Sequence, residues 1–277
     1  MRVMCTLVRA AVVAAVVAVS GPAKAERSAQ LDALLDALKV AETVEVMQAE
    51  GARFGADLAR DMIPDVDNAA WARVIERIYD ADKMYEVLAS GFEAELAGAD
   101  LTPILTYYQT PQIAEIVTLE LSARRAFLDA DTEAFAVEQF QDLAEQGATV
   151  VDLVNTLIKD SDLLEMNVTG ALNSDLMFYN GLNEGGAFDL SEEEILADVW
   201  AGEEELRISS RDWLQSFFLM AYQPVDPDVL DGYVAFWRTD EGQLLNRAIF
   251  VAFDQMYEDI SYLLGLAIAE QLQIKEL

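Results

Sequence analysis

The sequence predicts an all-α protein made of helical hairpins that pack into a bundle. Apolar residues recur at steps of three and four along most of the chain, as in Leu31, Leu34, Leu35 and Leu38, and therefore line one face of a helix. Residues that favour helices are frequent, and the alternation typical of strands is nearly absent. Gly and Pro fall mostly in short clusters such as 223–227, which separate about eight to ten expected helices.

Residues 1–25 have the pattern of a secretory signal peptide. Arg2 and Arg9 precede the short apolar run 10–19, and the small residues Ala23 and Ala25 follow it. This order predicts cleavage after Ala25 and a mature chain in the periplasm or outside the cell. The alternative, an N-terminal membrane anchor, fits less well, because a spanning helix needs about twenty apolar residues and this run has about half of that.

The charge balance excludes several classes of function. The chain has 50 acidic and 18 basic residues, a formal net charge of −32, so it lacks the basic surface of a nucleic-acid-binding protein. It contains no histidine, and its single cysteine, Cys5, lies in the predicted signal peptide. Catalysis by His or Cys and zinc sites with His ligands are therefore excluded. Hydration in a salty medium and binding of a cationic partner both fit such a surface.

No segment after the signal peptide is expected to span a membrane. The most apolar candidate, 248–269, carries Asp254, Glu258 and Asp259 near its middle. Charged side chains at that depth are costly in hydrocarbon. The mature chain is therefore expected to have no integral membrane segment.

The two parts of the mature chain, 26–147 and 148–277, resemble each other and suggest an internal duplication. At an offset of 119 residues, the matching pairs are Leu34 and Leu153, Leu38 and Leu157, Met47 and Met166, Gly51 and Gly170, and Ala52 and Ala171. At an offset of 129, they are Leu101 and Leu230, Tyr107 and Phe236, Tyr108 and Trp237, and Thr110 and Thr239. The change of offset predicts a loop insertion at 180–186. Chance matches between amphipathic helices are the alternative explanation.

One local motif occurs in both parts: an aromatic pair, a polar residue and Thr. The two copies are Tyr107-Tyr108-Gln109-Thr110-Pro111 and Phe236-Trp237-Arg238-Thr239-Asp240. The pattern predicts the end of one helix, a tight turn and the start of the next. In each copy the threonine is placed to cap the new helix, and Pro111 suits the first helical position, where no backbone donor is needed. The aromatic pair is expected to anchor the corner of a hairpin.

The second copy adds Gly242 two residues after Asp240, within a best-matching stretch at 227–260. This combination resembles the domain of unknown function 2059 family of exported bacterial proteins. The first copy departs from the family pattern, because Ile113 stands where the glycine would be. The resemblance implies a small helical periplasmic domain. It carries no known activity, so no catalytic residue is transferred.

Two hypotheses apply to the motif residues Tyr107, Tyr108, Thr110, Pro111, Phe236, Trp237, Thr239 and Gly242. The first is structural: the aromatic side chains form the core of two helix corners. The second is functional: Tyr108 and Trp237 leave a partly exposed groove for an apolar peptide or a partner helix.

Other polar groups in the sequence are read as structural. The acidic runs 65–68 and 129–133 lack the central Gly and the final Glu of a calcium loop, and they are read as helix starts capped by Asn68 and Thr132. Ser191 is expected to begin a helix with a capping box. Arg124 and Arg125, with Arg211 and Arg247, are expected to be neutralised in ion pairs and not to bind a ligand. No metal or cofactor is expected.

The sequence favours a non-catalytic role, either interaction with an unknown protein or peptide partner or structural work in the bacterial periplasm. The alternative is a peptidoglycan hydrolase that uses one Glu as a general acid, with a pKa raised by an apolar pocket. The Glu-Ser dipeptide typical of lytic transglycosylases does not occur in the chain. No catalytic residue is assigned.

Overall fold

The computed structural model describes residues 27–63 and 67–276, and all regular structure within them is α-helical. The all-α class is therefore confirmed. The helices are α1 (Ala29–Ala37), α2 (Val40–Met62), α3 (Asn68–Ile78), α4 (Ala81–Glu95), α5 (Thr102–Tyr108), α6 (Pro111–Ala126), α7 (Ala130–Glu145), α8 (Thr149–Asp160), α9 (Leu163–Glu184), α10 (Glu192–Ala201), α11 (Glu203–Tyr222), α12 (Pro227–Phe236) and α13 (Asp240–Glu276). The predicted signal peptide lies outside the described residues.

The helices outnumber the sequence estimate because very short interruptions divide segments with continuous helical periodicity. Gly202 alone separates α10 from α11. Lys39 and Asp162 adopt left-handed backbone conformations, with φ of 53° and 54°, immediately before the long helices α2 and α9. Such a residue ends one helix and begins the next without a loop between them. The apolar spacing continues across it, so the sequence pattern does not reveal the boundary.

The order and packing of the helices repeat along the chain. Helix α1 packs on α5 as α8 packs on α12, and α4 packs on α13 as α11 packs on α6. Helix α7 connects the two sets. The left-handed residues Lys39 and Asp162 are 123 residues apart, about one helical turn more than the offset of 119 found in the sequence. A shift of one turn keeps the same apolar face of a helix, so offsets of 119 and 123 both align apolar positions.

The two parts of the chain share one hydrophobic core. Buried side chains from Leu31 in α1 to Ile268 in α13 form a continuous cluster. A smaller cluster lies between α9 and α10. In the part of the chain that the structure covers, no helix combines the length and the apolar character needed to cross a bilayer.

Helices α9 and α13 approach each other until their backbones touch at Gly181 and Gly265. A Cβ atom on Gly265 would overlap the carbonyl oxygen of Phe178 and lie 2.9 Å from the nitrogen of Leu182. A Cβ atom on Gly181 would overlap the carbonyl oxygen of Tyr262. Because this crossing requires a helical backbone, the loop predicted at 180–186 is wrong for residues 180–184, which belong to α9.

Helix starts follow simple capping rules, with two corrections. Ser191 forms the predicted capping box with Glu194. Asn68 and Thr132 are not the caps, because Asp67 and Asp129 accept hydrogen bonds from the first backbone N–H groups of α3 and α7. The capping aspartate lies one residue before the expected position in α3 and three residues before it in α7.

The glycine crossing makes a stability prediction. Gly181→Ala and Gly265→Ala should each lower the free energy of unfolding by about 1–3 kcal/mol, because the added methyl group forces the two backbones apart. Urea unfolding followed by circular dichroism measures the change.

Gly232→Ala in α12 is the matched control, since a Cβ atom there would meet no heavy atom within 4 Å. This helix-interior substitution should be neutral or raise stability by up to about 1 kcal/mol. Equal effects at all three glycines would contradict a special role for the crossing.

Candidate ligand-binding cavity

A cavity of about 880 Å³ lies between α2, α6, α9, α11 and α13. Its volume is within the range of pockets that hold small molecules and cofactors. Eleven aromatic side chains line it: Phe54, Tyr79, Trp213, Phe217, Phe218, Tyr222, Tyr233, Trp237, Phe250, Phe253 and Tyr257. Most of these rings belong to the second half of the chain, 148–277. Residues from both halves line the cavity.

The two aromatic motifs found in the sequence meet behind this cavity. Tyr107 stacks on Phe236, with ring centroids 4.0 Å apart and planes 9° apart, and Tyr108 packs edge-on against Phe236 at 5.8 Å. Tyr108 is only 2% exposed, so the exposed groove proposed at this residue is wrong. Trp237 lines the cavity instead. The motif joins the two halves of the core.

The first copy of the motif starts α6 as the sequence predicts. Thr110 occupies the N-cap position and Pro111 is the first helical residue. The Thr110 hydroxyl makes no capping bond to the new helix; it donates to the carbonyl oxygen of Tyr107 at 2.8 Å. It therefore stabilises the end of α5 and not the start of α6.

In the second copy the threonine serves both helices. The Thr239 hydroxyl donates to the carbonyl oxygen of Phe236 at 2.7 Å and accepts from the backbone N–H of Gly242 at 3.0 Å. A Cβ atom on Gly242 would overlap the same carbonyl of Phe236. Gly242 is thus needed for the tight turn between α12 and α13, which positions both helices at the cavity.

A partly buried ion pair holds one wall of the cavity. Arg124 in α6 donates through Nε to Glu50 Oε1 at 2.9 Å and through Nη2 to Glu50 Oε2 at 2.8 Å. The same Nη2 donates to the Tyr257 hydroxyl of α13 at 3.2 Å. Burial opposes the charge, but Tyr257 and Glu50 raise the pKa of Arg124 overall. The arginine stays charged and ties α2, α6 and α13 together.

A second polar cluster surrounds Glu120, one helical turn before Arg124. The hydroxyls of Tyr222 and Tyr233 both donate to Glu120 Oε1, at 2.6 and 2.9 Å. Burial raises the pKa of Glu120, while these two hydrogen bonds act in the opposite direction. The role of Glu120 cannot be identified from the local sequence, because its partners lie 102 and 113 positions away. The feature of the sequence that could have indicated Glu120 is its position as an acid within an apolar stretch of α6.

A third acid, Asp254 of α13, lines the cavity without a partner. Among the described residues it takes part in no hydrogen bond or ion pair, and its carboxylate lies against Gly170 of α9, where a Cβ atom would overlap Oδ1. Burial, with a contribution from Glu258, raises the pKa of Asp254 to about 6. Gly170 therefore makes the room that a partly buried carboxylate occupies.

The cavity reaches solvent near Phe54. This side chain is 53% exposed and also lines the cavity, as do the exposed residues Asp175 and Ser209. An exposed residue in the lining marks a place where the wall is open. Phe54, Asp175 and Ser209 therefore mark parts of the lining that are open to solvent.

Two buried polar atoms in lining residues have no hydrogen-bond partner in the part of the chain that the structure describes. They are the Ser161 hydroxyl oxygen and the indole nitrogen of Trp237. Ser161 is only 6% exposed. Buried polar atoms in folded proteins nearly always have a hydrogen-bond partner, so these two atoms are exceptions.

The raised pKa of Asp254 makes a pH prediction. Folding raises this pKa from 3.8 to about 6, so the ionised carboxylate destabilises the fold above pH 6, and this penalty fades as the pH falls towards 4. Asp254→Asn should therefore raise the free energy of unfolding at pH 8 by about 1 kcal/mol, after allowance for solvent screening. Chemical unfolding at several pH values measures the difference.

The control is Asp231→Asn, which changes an exposed carboxylate of α12. The gain from Asp254→Asn should shrink steadily between pH 7 and pH 5, while Asp231→Asn should show no comparable trend. A gain that is constant with pH would mean that Asp254 acts through packing and not through its charge.

Within the described residues, no three acidic or cysteine side chains converge as metal ligands would. No family model, curated protein or solved structure matches the chain. The likeness of its aromatic motif to the domain of unknown function 2059 family therefore stays a prediction.

Proposed function

We propose that this chain is an exported, non-catalytic binding protein whose interior cavity holds a small amphipathic molecule. The observation that carries the proposal is the cavity of about 880 Å³, lined by aromatic rings and open near Phe54. Protein interiors are close-packed, and voids much larger than a water molecule are few. A bound molecule would restore the contacts that the lining side chains lack.

The polar groups of the walls support a preformed site. Arg124 and Glu50 fix three helices through charge-assisted hydrogen bonds, and Glu120 is held by two tyrosine hydroxyls. Side chains that are already fixed lose little conformational entropy when a ligand binds. The arrangement therefore favours binding to a site that exists before the ligand arrives.

Export, family and duplication belong to the same proposal. The pattern of residues 1–25 supports export to the periplasm, and the aromatic-Thr motif supports membership of the resembled family. The repeated order of α1–α6 and α8–α13, with Lys39 and Asp162 at matching places, supports an internal duplication. On this proposal, the two copies enclose the cavity between them, and a protein or peptide partner would bind elsewhere.

Cell-wall hydrolysis is a second candidate, supported by Glu120. This carboxyl group lines the cavity, and burial raises its pKa, as a general acid requires. Its Oε1 already accepts two tyrosine hydrogen bonds, which is more typical of a structural acid. The binding proposal accounts for the volume and the aromatic lining of the cavity, whereas the hydrolase proposal accounts for Glu120 alone.

Zymography on purified peptidoglycan separates the two functions. The binding proposal predicts no clearing by the wild-type protein. Clearing that is lost in Glu120→Gln but kept in Glu204→Gln, an exposed acid of α11, would establish the hydrolase instead.

Binding is tested with N-phenyl-1-naphthylamine, a neutral aromatic probe whose fluorescence rises in apolar sites. The wild-type mature chain should bind it with one site and quench Trp213 or Trp237 fluorescence, since both rings line the cavity. Ala171→Trp in α9 and Ser210→Trp in α11 fill the cavity from two different walls and should each weaken binding at least tenfold.

Trp200→Ser is the matched control, because Trp200 is 62% exposed and lies outside the cavity lining. It should leave probe binding unchanged, which separates cavity binding from adsorption to exposed apolar surface. Circular dichroism confirms that each variant is folded. Unaltered binding in both cavity-filling variants would refute the proposed site.

A further inference from the structure

We propose that the ligand of this cavity is an organic cation with an aromatic or aliphatic body, whose positive charge is received by Asp254. The inference rests on the proposed binding function and adds the chemical class of the ligand. It is carried by the charges that line the cavity, by the unpartnered acid and by the aromatic walls.

The lining charges are strongly unbalanced. The acidic side chains of the lining are Glu50, Glu120, Glu133, Asp175 and Asp254, and its only basic side chain is that of Arg124. Arg124 is already bound to Glu50 through two hydrogen bonds, so its charge is not available to a ligand. An anionic ligand would meet uncompensated carboxylates in a partly desolvated space, whereas a cation would relieve their mutual repulsion.

Asp254 is the acid placed to receive this charge. Glu50 pairs with Arg124 and Glu120 accepts from two tyrosines, but Asp254 has no partner among the described residues. Gly170 of α9 leaves the space that the Asp254 carboxylate itself occupies, so this carboxylate is accommodated at the cavity wall. A carboxylate that is partly removed from water and has no partner is less stable than a paired one, and a bound ammonium group would supply that partner.

A second, independent observation points to a polar ligand head. Ser161 lines the same cavity, is more than nine-tenths buried, and its hydroxyl has no partner within the described residues. Its neighbour in the wall, Asn246, uses its amide nitrogen on the Ser161 carbonyl at 3.0 Å and so does not satisfy that hydroxyl. An ammonium N–H or a ligand hydroxyl would satisfy it.

The aromatic rings favour an organic cation over a metal ion. Trp213 stacks on Phe217 with centroids 4.8 Å apart, and both rings line the cavity with Tyr257. Aromatic faces attract organic cations such as quaternary ammonium groups, and they pack against an apolar ligand body. They supply none of the oxygen ligands that hard metal ions prefer. The lining thus combines a charge acceptor with an apolar enclosure.

The test compares three probes of similar size by displacement of N-phenyl-1-naphthylamine: phenyltrimethylammonium, its uncharged isostere tert-butylbenzene, and benzenesulfonate. The cation should displace the fluorophore at a concentration at least tenfold lower than the neutral isostere, and the anion should not displace it. Asp254→Asn should weaken the cation about tenfold and change tert-butylbenzene less than twofold. Glu204→Gln, which alters an exposed acid outside the lining, should change neither.

Equal displacement by the cation and its isostere, or an unchanged cation preference in Asp254→Asn, overturns the assignment of ligand class. In either case the fluorophore still binds, and the proposed function stands. If neither the fluorophore nor the cation binds, by fluorescence and by calorimetry, both proposals fail. The Asp254→Asn variant is informative because it is expected to fold at least as well as the wild type.

Discussion

The direct backbone contact between α9 and α13 is the constraint on which the rest of the structure depends. With Gly181 and Gly265 at the crossing, two of the longest helices lie closer than ordinary side chains allow. Helix α13 also packs against α4 and so connects the two sets of helices. The glycine crossing therefore fixes the position of α13 in its C-terminal half. The placement of the earlier residues of α13 depends on this contact.

The cavity follows from this geometry and from the polar groups of α6. Helix α13 presents Phe250, Phe253 and Tyr257 to a space that Glu120 and Arg124 of α6 also line. Arg124 donates a hydrogen bond to the Tyr257 hydroxyl and so joins the two helices at this wall. Both Glu120 and Arg124 have fixed polar partners, so α6 cannot move inward to close the space without breaking these contacts. The Arg124–Glu50 pair is partly buried, with 20% and 34% of the two side chains exposed, so breaking it is unfavourable but costs less than the roughly 3–5 kcal/mol of a fully buried pair. An open interior is thus compatible with a stable fold.

Features with local causes were predictable from the sequence, and features with distant causes were not. The helical class, the capping box at Ser191 and the turn at Thr110-Pro111 depend on residues a few positions apart. Of the four arginines expected in ion pairs, Arg124 forms one, and the structure shows no salt bridge of Arg125, Arg211 or Arg247 among the described residues. The partner of Arg124, Glu50, lies 74 positions away, and no local pattern identifies it. Residues 180–184 contain the Gly and Asn typical of a loop, and packing against α13 nevertheless keeps them helical.

Electrostatics links the acidic composition of the chain to its interior. A net charge of −32 draws cations towards the protein, yet at physiological ionic strength the field of surface charges fades over about 8 Å. Acids far from Phe54 therefore raise the local concentration of every cation equally and select none. Discrimination among cations requires contacts inside the cavity, where Asp254 and the aromatic rings are partly shielded from water and interact more strongly with charge. The acidic surface and the cavity thus have separate roles: the surface supplies attraction without selectivity, and the enclosed site supplies the selectivity.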